Sequence, residues 1–172
     1  STGGTRVLPV VDRGDIDQKQ ADPGPILGGS TAGMFVRLEA WSRLDGFDPA
    51  LPLFRDGVDF GWRANEAGMV VRTAPTCTIH HRQAGRGWQR ESNLAPRPDA
   101  TDRLAGMRMV AARTGHPTRT SFALLLASVW RFIVLLVGKA PSRAAGEWRA
   151  GWQLWKTRSV TREMSQRLQE FH

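Results

Sequence analysis

The chain has 172 residues, 41% of them hydrophobic, with seven Trp and seven Phe; that is enough to bury a core and excludes a disordered polymer. Its single cysteine, Cys77, excludes an internal disulfide framework and a cysteine-based zinc knuckle. The net charge of +8 is uneven: residues 1–102 hold 12 Lys+Arg against 13 Asp+Glu, a net of −1, and residues 103–172 hold 12 against 3, a net of +9. A basic half rich in arginine attracts polyanions, either anionic lipid or nucleic acid.

In chain order, "TRVLPVV" (5–11) is β-branched and apolar and predicts a strand. A polar, Pro/Gly-punctuated loop covers 12–25. "ILGGSTAGMFV" (26–36) predicts two short strand pieces around glycines that let backbone approach a ligand or another strand. "RLEAWSRL" (37–44) has helical spacing through Leu38, Trp41 and Leu44, and "DGFDPALP" (45–52) is a turn. Asp56 as N-cap, Asp59 at N3 and Gly68 as a stop predict a helix over 57–67. "MVVRT" (69–73) and "CTIHH" (77–81) predict extended pieces, and 82–100 reads as loop. The opening residues carry neither a basic n-region nor an apolar h-region, so no signal peptide is read there.

A domain boundary is expected near residue 100, with a helical region over 101–172. "TDRLAGMRMVAAR" (101–113) places Leu104, Met107 and Val110 on one face. "SFALLLASVWRFIVLLVG" (121–138) is the most apolar run, interrupted only by Ser128, Trp130 and Arg131. As a run it falls short of the roughly 20 apolar residues that cross a bilayer, and an interfacial or partly inserted helix fits it better. Pro141 starts the next helix, where Trp148, Trp152 and Trp155 recur at i, i+4, i+7 beside Arg149 and Lys156. Trp with basic neighbours suits a membrane–water interface. A last helix begins near Ser159, with Val160, Met164 and Leu168 on one side.

Capping alone explains Asp56 and Asp59, since each satisfies or favours the free amide end of a helix. Their surroundings add a second explanation. Asp45-Gly46-Phe47-Asp48, Asp56, Asp59, Arg63, Ala67-Gly68 and His81 occur in the order found in the second half of a family 2 glycosyltransferase catalytic domain. The chain resembles that family over residues 6–90, in its actinobacterial, membrane-associated branch.

The resemblance implies an α/β fold: the acceptor-side half of a Rossmann-like, GT-A-type domain over 1–100, followed by the amphipathic, membrane-proximal helices of 101–172. It implies an inverting transfer from a nucleotide-sugar donor to a lipid or polysaccharide acceptor of the cell envelope. A carboxylate then serves as the base that takes the acceptor proton. A divalent cation, Mn²⁺ or Mg²⁺, offsets charge on the leaving diphosphate, with His81 as its ligand.

The family has two adjacent acidic residues at the helix start, and the second falls on Gly57 here. The base is therefore Asp56, or Asp59 one turn on, or the site is inactive. Arg82, Arg86 and Trp88, in a Gly-rich loop, are expected to bind substrate phosphate or the acceptor. The nucleotide-binding half with its Asp-x-Asp is not read in this sequence; "DID" at 15–17 only imitates it. The expected setting is the cytoplasmic face of a bacterial inner membrane, touched through 121–158. A nucleic-acid-binding module or a non-catalytic membrane scaffold are the alternatives, the first expected least because no known nucleic-acid motif is present.

Overall fold

A computed structural model describes residues 8–11, 23–51, 54–77 and 98–170. It overturns the α/β expectation. Helix makes up 65% of the described residues, and the β pairing among them is a parallel match of two residues each, β1 (Val10–Val11) with β2 (Gly28–Gly29). The 69–73 segment is extended, but among the described residues it pairs through one antiparallel bridge, Pro25 to Arg72. Strand-like composition produced extended backbone in both places without enough partners to build a sheet. A sheet needs neighbours brought from elsewhere in the chain, and propensity alone does not supply them.

The chain forms two compact units. The first takes its described residues from Ser1–Asp48 and Asp56–Arg82, the second from Pro49–Arg55 and Gln83–His172.

In the first unit, α1 (Leu38–Arg43) and α2 (Asp56–Glu66) match the two predicted helices closely. α2 ends as Gly68 implies. Gly68 takes φ +77°, its N–H donates to the Asn65 carbonyl, and the Met69 N–H donates to Ala64. This pairing satisfies the last carbonyls of the helix. Leu44, Phe60 and Ala64 form the core, covered by Met34, Val36, Ala67, Met69 and Val71. The glycines of β2 are indeed close-approach positions, and what approaches them is α2. A Cβ on Gly28 would lie 2.8 Å from the Val58 carbonyl oxygen, one on Gly61 2.5 Å from that of Leu27, and one on Gly57 2.3 Å from that of Gly29. Asn65 fastens the contact, its Nδ2 donating to the carbonyls of Ile26 and Leu27.

The second unit contains α3 (Pro98–Ala112), α4 (Pro117–Val137), α5 (Pro141–Lys156) and α6 (Arg158–Glu170). Prolines open three of the four, where the missing N–H costs nothing. α4 and α5 form an antiparallel hairpin turned by 138–140, with Lys139 in the left-handed region at φ 55°. Gly151 lies against Ser128, whose buried Oγ donates to Met107 Sδ. Phe122 meets Trp155, and Phe132 meets Trp148. Leu104 and Met107 of α3 pack with Ala150 and Leu154 of α5, as their spacing predicts. Val110 does not join them; it is 46% exposed, and Met109 and Ala111 are buried instead. α6 buries Met164 and Leu168, together with Thr161 and Ser165.

Candidate functional site

The two aspartates of α2 have different fates. Asp59 is fully buried, and its Oδ2 accepts from Arg63 Nε at 2.8 Å. Arg63 is buried too. Its Nη1 donates to the Leu44 carbonyl at 2.6 Å and its Nη2 to the Gly46 carbonyl at 2.8 Å, while its guanidinium lies 5.5 Å from the Phe60 ring centroid. These carbonyls belong to the turn in which Asp45 (φ 54°) and Gly46 (φ 65°) are both left-handed. Glycine is required at 46 on a second count, because a Cβ there would stand 2.8 Å from the Trp41 ring. Trp41, Phe47 and Phe60 close a triangle of ring contacts at 4.9 to 5.7 Å around this turn.

Three members of the ordered motif therefore hold the fold together. Asp59 neutralises Arg63, and Arg63 clamps the Asp45–Gly46 turn onto α2. A buried carboxylate held by a guanidinium has no path to an acceptor hydroxyl.

Asp56 is half-buried in the first turn of α2, and its Oδ1 accepts from the Gly57 N–H at 2.9 Å. Of the two carboxylates, this is the one that solvent can reach. Gly57 itself is buried, and the 2.3 Å approach of the Gly29 oxygen leaves no room for a side chain. The position that is acidic in the resembling family is here part of a helix-to-strand contact. Its glycine serves close packing rather than backbone freedom.

His81, Arg82, Arg86 and Trp88 lie outside the described residues. Among the described residues, no group of three or more His, Cys, Asp or Glu side chains stands close enough to hold a metal ion. Asp56 and Asp59 supply no such set between them.

The tryptophan stripe of α5 divides. Trp148 and Trp152 stack at 6.1 Å and are 41% and 51% exposed. They line an open groove of ≈ 630 Å³ with Thr101, Arg149 and Lys156. Trp155 instead turns toward α4, its ring 5.5 Å from Phe122 and 4.6 Å below the Arg158 guanidinium.

Among the described residues, α4 carries seven of the fifteen large exposed hydrophobic side chains. The helix begins four residues before the run read from the sequence, which corrects its length: at 21 residues it is long and apolar enough to cross a membrane, and only 11% of its most apolar window is buried. Phe122, Leu126, Trp130, Ile133, Val134 and Val137 are all exposed. At 1.5 Å per residue this stripe runs about 22 Å. Arg119 stands before it and Lys139 after it, both exposed.

Sequence reasoning missed one cluster in this region, formed by Arg103, Arg131 and Glu147. A signal was present: Glu147 is the sole acidic residue between Asp102 and Glu163.

No protein-family model, curated protein or solved structure matches the chain.

Proposed function

We propose that this chain seats a sugar-transfer site on a membrane surface, as part of an inverting glycosyltransferase that moves a sugar from a nucleotide-sugar donor to a lipid or polysaccharide acceptor. The observation that carries the reading is the uncovered face of α4. A contiguous exposed apolar stripe on a soluble domain marks an interaction surface, and here cationic residues bracket it at both ends. A bilayer interface takes such a helix with its apolar side down and its cations at head-group level. α5 packs along α4 and carries Arg143, Arg149 and Lys156. Both helices therefore lie more favourably along the interface of the cytoplasmic leaflet than across the membrane.

The transfer step is assigned to Asp56. Its carboxylate takes the proton of the acceptor hydroxyl as that oxygen bonds to the anomeric carbon and the nucleoside diphosphate departs with its electron pair. Asp59 is left out of this role because Arg63 already holds it inside the core. In the full-length enzyme, Asp56→Asn abolishes sugar transfer while membrane flotation and helix content stay as in the wild type. Undiminished turnover in that variant excludes Asp56 as the base.

A second reading, a membrane-bound scaffold without catalysis, is favoured by the packed glycine at 57. Its signature is tight vesicle binding by a full-length protein that shows no transfer with or without Asp56.

A further inference from the structure

Glu147 of α5 is buried to 8% exposure, and two arginines from different helices converge on it. Arg103 of α3 donates from Nε to its carboxylate, 3.1 Å from Oε1 and 3.2 Å from Oε2. Arg131 of α4 donates from Nε to Oε1 at 3.1 Å. Both guanidiniums are thus held by Nε alone, and among the described residues their terminal nitrogens have no other partner. The two side chains are 39% and 55% exposed. A buried carboxylate fixes both roots, and two forks of donors face outward.

Two arginines and one carboxylate leave a net charge of +1, which matches a single phosphodiester. Guanidinium forks favour phosphate oxygens because paired N–H donors meet two oxygens at once. Arg131 also adjoins the apolar stripe: Ala127 lies one turn before it and Val134 one turn after, both exposed. An anion with a hydrocarbon tail is therefore suited to both surfaces at once, whereas a free anion uses only one.

We propose that Arg103 and Arg131 form a binding site for the phosphate of an anionic phospholipid, with Glu147 as the positioning residue and the α4 face beside it receiving the acyl chains. The inference rests on the membrane reading and deepens it, replacing diffuse attraction by a defined head-group site.

Diffuse attraction makes a different prediction for two variants. Arg103→Lys/Arg131→Lys keeps every charge, so charge alone predicts unchanged binding, while loss of the forks predicts a fall. Glu147→Gln raises the net charge, so charge alone predicts tighter binding to anionic vesicles, while loss of positioning predicts weaker binding. The full chain is floated with phosphatidylcholine vesicles with and without phosphatidylglycerol, and circular dichroism checks the helix content. The wild type should prefer the phosphatidylglycerol vesicles. The lysine pair should lose about tenfold of that preference, roughly one charge-assisted hydrogen bond, and keep its binding to phosphatidylcholine. A retained preference in the lysine pair, or tighter binding by a folded Glu147→Gln, overturns the site.

Calorimetric titration with inorganic phosphate alone should give no saturable heat. Saturable heat that the lysine pair lacks would assign the cluster to free phosphate and overturn the lipid source. Failure of the wild type to float with either vesicle sinks the membrane reading itself, an outcome distinct from loss of head-group preference.

Discussion

Replacing Gly57 by alanine separates two explanations of why glycine stands at the head of α2. If only backbone propensity matters, alanine stabilises a helix by about 1 kcal/mol relative to glycine. Packing predicts the reverse. The new Cβ would lie 2.3 Å from the Gly29 oxygen and 2.9 Å from Thr31 Cγ2, so α2 must retreat by roughly 1 Å before ordinary contact at 3.4 Å is restored. That retreat pulls on the bonds from Asn65 Nδ2 to Ile26 and Leu27, now 3.2 and 3.1 Å. Overpacking of this kind costs about 3 kcal/mol, which leaves a net loss of about 2 kcal/mol after the propensity gain.

Amide hydrogen exchange read by mass spectrometry reports α2 by itself. A loss of that size should accelerate exchange in its peptides about 30-fold, at 1.4 kcal/mol per factor of ten. Gly106 and Gly146 are the internal controls, since a Cβ at either meets nothing within 4 Å. Alanine at Gly106 should slow exchange in α3 about fivefold, the propensity gain of about 1 kcal/mol alone. Slowed or unchanged exchange in α2 of Gly57→Ala refutes the packing argument and restores a backbone explanation.

Arg63→Met strands the fully buried Asp59 carboxylate and frees the Asp45–Gly46 turn, a loss of about 3–5 kcal/mol in urea unfolding. Adding Asp59→Leu should recover part of that loss, since an apolar pair of similar size often replaces a buried ion pair at little cost; no recovery would show that the carbonyl clamp, not the ion pair, dominates. On α4, Leu126→Ser removes one exposed leucine from the stripe and should weaken vesicle flotation about tenfold, while leaving urea stability within about 0.5 kcal/mol. Equal flotation by this variant would mean that α4 does not meet the lipid.

Local signals read well from the chain alone. Gly68 closes α2, and Pro141 opens α5, because backbone geometry at glycine and proline is set within a residue or two. Leu104 and Met107 were legible as core because helical spacing places them on one face. The same reasoning misplaced Val110, since which side of a helix finds a partner depends on what packs there. The β-branched run at 69–73 was legible as extended; that a single bridge to Pro25 would be its pairing among the described residues was not.

The amino-acid sequence by itself determined the stop of α2 at Gly68 and the start of α5 at Pro141, the crowding of positive charge after residue 102 and the apolar run of α4. These depend on near neighbours along the chain or on composition, and folding leaves them unchanged. The starts of α3 at Pro98 and α4 at Pro117, by contrast, lay outside the helices read from it. Tertiary structure decided which carboxylate is reachable, why residue 57 has no side chain, and where the charge of Arg131 is balanced. Asp59 is withdrawn by a guanidinium that also reaches carbonyls 17 and 19 residues away in the chain, and Glu147 draws in arginines 44 and 16 residues distant. Such long-range electrostatic and steric choices exist only once helices are packed, because distance in space, not separation in sequence, sets their energy.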